Sequence, residues 1–426
     1  MYECKRVFQP IETTWADSAA FILKIYNRSA VQNAQVFTPV LLIRENGKII
    51  IQKTLSVIDL AAGADTRLNI AAYLPKLKTD AEYHADIQFL LPAATAWAPK
   101  GFVMASDQLT IKGVTKSATT FKVGTRQKFT ETADAIEVQG KDFTIKVKRT
   151  GTGGLYSYSY KGKEQLAQPF IPHFTRPLTD NDKRGWKPNR TLKQWYEADI
   201  KVSNVTQTVN SKGEPVIVTD YRLINDSARV QVVYTVADNG AVKVNYELTV
   251  KPGLPNIPKV GMQGGIHNAY QTIEWLGKGP LENYIDRAHG FDVGIYKMDI
   301  YDFMEPYAVP QENGNRTDVR WMYLGDPKTN DGLLVVADSL LSMSAWPYTQ
   351  ENIQGAKHTN KLQAAGYITL NIDLKQMGVG GNDSWSPVAA PLEQYQLPAT
   401  NYQYAFYLLP FNSKKSNPAT GVKFVQ

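Results

Sequence analysis

Strict alternation of apolar and polar residues is the feature that most constrains the fold of this chain. Val242–Val250 reads VKVNYELTV, with apolar side chains at every even position, and Phe143–Lys148 (FTIKVK) has the same period of two. Because successive side chains of a strand point to opposite faces, such segments bury one face of a sheet. Few segments carry helical periodicity over three turns. We therefore predict an all-β fold.

Other segments support this fold class. Tyr402–Leu409 starts by alternating and ends fully apolar, which predicts a buried strand. Residues 36–51 predict two strands joined at Asn46 and Gly47, because an Asn-Gly pair is a strong hairpin signal. The glycine-rich Gly151–Gly154 leads into a tyrosine-rich strand rather than a helix that could bind phosphate, so we predict a hairpin turn there.

The length of 426 residues allows two or three domains. Residues 111–122 are small and polar and contain glycine, which is typical of a linker. Residues 1–112 have the length of an immunoglobulin-like β-sandwich, and the longer stretch from 117 to 426 fits a large double-layered sheet structure. We predict domains with these bounds.

Composition excludes several classes of protein. The net charge of +7 comes from 47 Lys and Arg against 40 Asp and Glu, but the basic residues are scattered, so no nucleic-acid partner is expected. No run of eighteen apolar residues occurs, so no membrane partner is expected. Cys4 is the only cysteine and the five histidines are far apart, so we predict no disulfide and no metal site. The N-terminus lacks the apolar segment of a signal peptide, and the composition does not determine the compartment.

The segment most informative about function is residues 377–387, which read MGVGGNDSWSP. Its three glycines are interpreted as permitting backbone angles that side chains forbid. Asn382 and Asp383 can bond their own backbone and stiffen the turn. Trp385 would then be a ring on a stiff loop, which suits the C–H face of a sugar whose hydroxyls need polar neighbours. The structural alternative is a tryptophan that plugs the edge of a core.

Three further polar clusters, at residues 174–186, 275–287 and 306–316, mix carboxylates, amides, arginine and aromatics as a saccharide pocket does. Their candidate residues either face a sugar or serve as turn and ion-pair residues, and they are Asp180, Asp182, Glu282, Glu312 and Arg316. Glycoside hydrolysis uses two carboxyl groups that flank the bond, and sequence spacing does not show which of these meet. An isomerase of free sugars would instead need a base and an acid, such as Glu312 with His173 or His267.

In their order along the chain, the four polar clusters at residues 174–186, 275–287, 306–316 and 377–387 resemble the C-terminal part of long β-galactosidases of glycoside hydrolase family 2. The matching segments are Thr179–Asp182, Trp275–Tyr284, Glu312–Gly314 and Met377–Pro387, and residues 2–10 and 93–97 are also similar to that family. The resemblance implies an immunoglobulin-like linking domain over residues 1–112 and, over 117–426, a supersandwich like that of galactose mutarotase. Asn382 departs from the commoner Asp of the family.

The resemblance also implies an activity, the retaining hydrolysis of terminal β-D-galactosides. The family's two catalytic glutamates and its magnesium and sodium sites lie on a (β/α)₈ barrel, and this chain shows no alternating βα pattern. We therefore expect no catalytic residue and no cofactor here, and no activity from the chain alone. Trp385 would stack on sugar at the mouth of the active site.

The partners implied by the resemblance are a β-galactoside and the catalytic barrel of the same protein or of a large subunit, in an oligomer. Two alternatives remain, a non-catalytic carbohydrate-binding module and a mutarotase-like sugar isomerase.

Overall fold

The computed structural model describes residues 1–114 and 127–418, which divide into two compact units. The smaller unit comprises the residues up to 114 together with Ala288–Ile295, and the larger comprises residues 127–287 and 296–418. The linker predicted at 111–122 lies largely outside the described residues. The sequence does not predict that Ala288–Ile295 belongs with the smaller unit.

The smaller unit is an antiparallel sandwich. Its elements are α1 (Tyr2–Val7), β1 (Ile11–Asp17), β2 (Ile22–Asn27), β3 (Thr38–Glu45), β4 (Lys48–Thr54), β5 (Asp65–Asn69), β6 (Tyr83–Leu90), β7 (Val103–Lys112) and 3₁₀ turns at Ala34–Val36 and Ala71–Tyr73. The strands form a three-stranded sheet, β1-β2-β5, and a four-stranded sheet, β4-β3-β6-β7. Leu23, Leu41 and Ile87, from both sheets, share one fully buried cluster. The two inner faces therefore make the core.

The hairpin predicted around Asn46 and Gly47 is confirmed. These two residues join β3 to β4 with φ angles of 48° and 77°. Both are left-handed, as a two-residue hairpin turn requires.

The larger unit is also built mainly of strands. Its strands are β8 (Lys128–Glu131), β9 (Ala135–Gln139), β10 (Phe143–Lys148), β11 (Leu155–Tyr160), β12 (Lys163–Glu164), β13 (Leu166–His173), β14 (Lys201–Val209), β15 (Pro215–Leu223), β16 (Ala228–Val236), β17 (Val242–Val250), β18 (Lys259–His267), β19 (Thr272–Gly279), β21 (Arg316–Gly325), β22 (Asp331–Trp346), β23 (Tyr367–Gln376) and β24 (Tyr402–Asn412). The division between the units falls within β20 (Asp292–Asp299), whose residues from 296 onward belong to the larger unit. Its helices are short: α2 (Pro188–Thr191), α3 (Lys193–Tyr196), α4 (Ile300–Phe303), α5 (Gln350–Gly355), a π-helical turn at Asp182–Trp186 and 3₁₀ turns at Thr359–Lys361, Pro387–Ala389 and Glu393–Tyr395.

One continuous antiparallel sheet runs through this unit. Neighbouring strands pair in the order β14-β15-β16-β17-β24-β22-β23-β18-β13-β11-β10-β9-β8, and β21 and β19 extend from β22. The long β22 pairs with β24 through its first half and with β23 through its second. It therefore joins the two halves of the sheet around a single large apolar core.

The strands predicted from alternation are confirmed. β17 and β10 have the predicted bounds, and β24 begins at the predicted residue and continues to Asn412. The turn predicted at Gly151–Gly154 connects β10 to β11, with Gly151, Gly153 and Gly154 at positive φ. The all-β fold class, a sandwich followed by a larger sheet structure, is confirmed.

Candidate functional site

Trp385 lies in the loop between β23 and β24, and 74% of its surface is exposed. Asp383 organises the backbone around it. Its Oδ1 accepts the N–H groups of Trp385 (3.2 Å) and Ser386 (3.0 Å), and its Oδ2 accepts the Ser386 hydroxyl (2.6 Å). The bond from the Ser386 hydroxyl is the main reason that the pKa of Asp383 is lowered. The ring is therefore presented to solvent from a stiffened turn.

The glycines of this loop serve a different purpose from the one predicted. None of Gly378, Gly380 and Gly381 has a positive φ, so the interpretation that they adopt backbone angles forbidden to other residues is wrong. A Cβ added at Gly381 would lie 2.4 Å from the backbone of Ala389. The N–H of Asn382 donates to the carbonyl of Val388 at 2.8 Å across the same narrow gap. Close approach of two chain segments, rather than backbone angle, requires glycine at position 381.

The polar cluster at residues 174–186 supports the base of the Trp385 loop. Arg176, which is fully buried, donates to the carbonyls of Met377 and Gly378, each at 3.0 Å. The same guanidinium lies 3.4 Å from Asp182. Asp182 in turn accepts the indole N–H of Trp186 at 2.8 Å. Arg176 and Asp182 are thus a buried ion pair that holds the loop from beneath.

Two residues that the sequence did not single out complete this junction. The side-chain amide of Asn181 donates to the backbone carbonyl of Asp383 at 3.2 Å. The side-chain carbonyl of Gln311 accepts the N–H of Asp180 at 3.0 Å, which brings the cluster at 306–316 to the cluster at 174–186. Asp180 is half-buried and Asn382 is exposed. The structure therefore brings the clusters at residues 174–186 and 306–316 together with the Trp385 loop, which Asp286 of the cluster at 275–287 also contacts.

Glu282 and Arg316 are buried, and their side chains make hydrogen bonds to other groups of the protein. Glu282 accepts hydrogen bonds from Arg287, from the Tyr307 hydroxyl and from the N–H of Gly314. Arg316 donates to several backbone carbonyls, and its guanidinium lies 4.0 Å from the centre of the Phe303 ring. Burial lowers the pKa of Arg316 to about 9. These contacts favour a structural role for both side chains.

Glu312 occupies a buried position close to the support of the Trp385 loop. It accepts the Tyr284 hydroxyl at 3.2 Å, while its Oε2 has no hydrogen-bond partner among the described residues. Burial raises the pKa of Glu312 to about 7, against the opposing effect of the Arg176 charge. The carboxyl group is therefore balanced between its charged and neutral forms near neutral pH.

The histidines proposed as partners of Glu312 have different environments. Burial lowers the pKa of His173 well below its usual value, and the nearby Lys259 charge adds to this. Lys259 also lies 3.5 Å from Asp373, whose pKa burial raises to about 7. His267 is exposed, and its Nδ1 accepts the N–H of Ala269 at 3.1 Å.

Within residues 1–114 and 127–418, no group of three or more His, Cys, Asp or Glu side chains is placed to hold a metal ion. No helix in the same part of the chain is long and apolar enough to cross a membrane.

Comparison with protein families gives two matches. The model of the β-galactosidase small chain matches residues 139–408, and that of β-galactosidase domain 4 matches residues 23–112. Because the first match covers more than half of the sequence, the chain belongs to the β-galactosidase small chain family.

Curated relatives agree with this assignment. A β-galactosidase of Priestia megaterium is 30% identical over 96% of this chain and 39% of its own length. A β-galactosidase of Vibrio cholerae is 27% identical over 98% of this chain and 40% of its own length. The chain thus spans about two fifths of the length of these relatives.

Solved structures give only loose overlaps. The galactose 1-epimerase of Lactobacillus acidophilus NCFM covers 68% of this chain at 10% identity and a TM-score of 0.34. An aldose epimerase homologue of C. elegans covers 67% at 8% identity and a TM-score of 0.37.

Proposed function

We propose that this chain is the part of a β-galactosidase that completes the mouth of the substrate site, with the catalytic groups on a barrel outside this chain. The parent reaction is the retaining hydrolysis of terminal β-D-galactosides. The observation that carries the proposal is Trp385, a large exposed ring on a loop anchored by buried charges. The Asp383 carboxylate and the Asn382 side chain flank it as groups for sugar hydroxyls.

The burial of three candidate carboxylates supports this assignment of the catalytic groups to the barrel. A retaining glycosidase places two carboxyl groups about 5 Å apart on either side of the bond, in contact with substrate. Asp182, Glu282 and Glu312 are each less than a tenth exposed and bonded within the protein. These three side chains are closed to a substrate bound at Trp385, which supports the proposal that the catalytic groups lie outside this chain.

The experiment compares the activity of the chain alone with that of the chain joined to the remaining part of a related β-galactosidase. We expect no hydrolysis of a chromogenic β-galactoside by the chain alone. In a chimera, this chain replaces the matching two fifths of the Priestia megaterium β-galactosidase. We expect the chimera to hydrolyse the same substrate. Turnover by the chain alone that survives rigorous purification would contradict the proposal.

The exposure of Trp385 also favours a second candidate, a non-catalytic carbohydrate-binding module. A module of this kind would bind galactose or lactose without a barrel. A single aromatic face should bind sugar poorly by itself, because association costs several kcal/mol before any contact is gained. Calorimetric detection of millimolar or tighter binding by the isolated chain would favour the module.

A further inference from the structure

We propose that Asp286 is a positioning residue for the Trp385 loop, a role that rests on the proposed function of Trp385. Its Oδ2 accepts two consecutive backbone N–H groups, from Val379 at 2.9 Å and from Gly380 at 2.8 Å. Hydrogen bonds to a carboxylate are shorter and stronger than those between neutral groups, so this contact is a strong local restraint.

The turn that carries Asp286 is itself fixed. Tyr284 and Arg287 exchange backbone hydrogen bonds of 2.8 and 3.2 Å on either side of it. Tyr284 is buried, and its hydroxyl reaches Glu312. A carboxylate on a closed turn beside an anchored tyrosine has little freedom to follow a moving loop, so it can set the position of the loop.

Asp286 and Arg176 act on neighbouring peptide groups with opposite charges. Arg176 binds the carbonyls of Met377 and Gly378, and Asp286 binds the N–H groups of the next two residues. Each charge meets the end of the peptide dipole that it attracts. The segment 377–380 is therefore held between a cation and an anion contributed by two other polar clusters.

The glycine at 378 follows from this arrangement. A Cβ there would lie 2.7 Å from both Cγ and Oδ2 of Asp286, which is closer than real side chains approach. Only glycine lets the carboxylate come near enough to accept the following N–H groups. The second oxygen, Oδ1, is buried without a hydrogen-bond partner among the described residues. An inaccessible carboxylate oxygen without a hydrogen-bond partner is unfavourable, and the half-buried Asp286 carries this cost while its other oxygen holds the loop.

Amide hydrogen exchange on the 426-residue chain tests the role directly. In Asp286→Ala, we expect exchange at Val379 and Gly380 to accelerate about 10- to 100-fold, because each amide loses a bond to a charged group. Asp286→Asn, which keeps the shape and one acceptor oxygen, should give a smaller increase. It also keeps the test available if the alanine variant does not fold.

A matched control separates positioning from general loss of stability. Asp331 is a half-buried carboxylate of the same unit that accepts bonds from Lys163 and Asn412. Asp331→Ala should leave exchange at 379 and 380 within about twofold of the parent. Acrylamide quenching of Trp385, isolated as the difference from Trp385→Phe, should rise in Asp286→Ala only.

Two outcomes would overturn the role of Asp286: unchanged exchange at 379 and 380 in Asp286→Ala, or an equal increase in Asp331→Ala. Neither readout uses sugar. If Trp385 proves unimportant for galactosides, the proposed function fails while these exchange rates still report whether Asp286 positions the loop.

Discussion

Two exposed tryptophans, Trp385 and Trp97, lie in loops of different construction. Trp97, in the loop between β6 and β7, is 65% exposed and packs edge-on against Phe102 with ring centres 5.8 Å apart. Its loop is closed by local bonds between Thr95 and Ala98. The Trp385 loop is held at Met377, Val379 and Asp383 by charged and amide side chains from segments far away in sequence.

Exposure alone therefore does not identify a site. Burying charged groups is costly unless they are paired. Buried charged groups hold the Trp385 loop, whereas local bonds close the Trp97 loop. This difference indicates that the position of the Trp385 loop is selected.

Arg176→Ala should be the most damaging change. It leaves Asp182 buried without its cation and frees the carbonyls of Met377 and Gly378, at a cost of about 3–5 kcal/mol in the free energy of unfolding. Lys5, whose ammonium lies 4.3 Å from the centre of the Phe102 ring beside Trp97, is the comparison. Lys5→Ala should cost less than about 1 kcal/mol. Urea unfolding of both variants measures the difference, and equal losses would contradict the contrast.

Glu312 should make the support of the Trp385 loop sensitive to pH. Its pKa is about 7 in the folded chain against an ordinary 4.5, so the folded state binds the proton more tightly. This contribution is complete below pH 4.5 and is lost as the pH rises through 7, amounting to about 3 kcal/mol. Asp373 acts in the same direction.

Glu312→Gln isolates this effect, because the amide keeps the size of the side chain and does not titrate. Urea unfolding between pH 4.5 and 8 should show a shallower fall in stability for the variant than for the parent chain. Parallel curves would show that Glu312 does not titrate in this range.

Substitution of glycine should affect the two loops by different mechanisms. A Cβ at Gly381 meets the backbone of Ala389, so Gly381→Ala should cost about 1–3 kcal/mol and displace the loop. Gly101, in the Trp97 loop, has φ of 80° and open space around it, so Gly101→Ala should cost only about 1 kcal/mol of backbone strain. Thermal unfolding ranks the two, and acrylamide quenching should change only for Trp385.

The sequence predicts the strands better than it predicts the site. Alternation is local, so β17 and β10 could be predicted with their bounds, and the Asn46–Gly47 hairpin follows from backbone angles that few residues tolerate. Arg176 lies about two hundred positions from the carbonyls that it binds. No spacing rule relates partners so distant, and only the folded sheet brings them together.

The same limit explains the misread glycines. A glycine pattern signals either unusual angles or close approach, and the sequence does not distinguish them. In the structure, Asp286 lies close to Gly378 and Ala389 lies close to Gly381, so close approach explains both glycines. The burial of Glu282 and Arg316 likewise depends on neighbours that composition does not reveal.

The central claim is that Trp385, and not exposed tryptophan in general, binds the galactoside. The most direct measurement is KM for a β-galactoside in the chimera with the Priestia megaterium barrel, comparing Trp385→Ala with Trp97→Ala. Loss of an anchoring tryptophan costs about 2 kcal/mol, so Trp385→Ala should raise KM about 30-fold, with Trp97→Ala within about twofold of the parent. Equal KM values for the two variants would contradict the account.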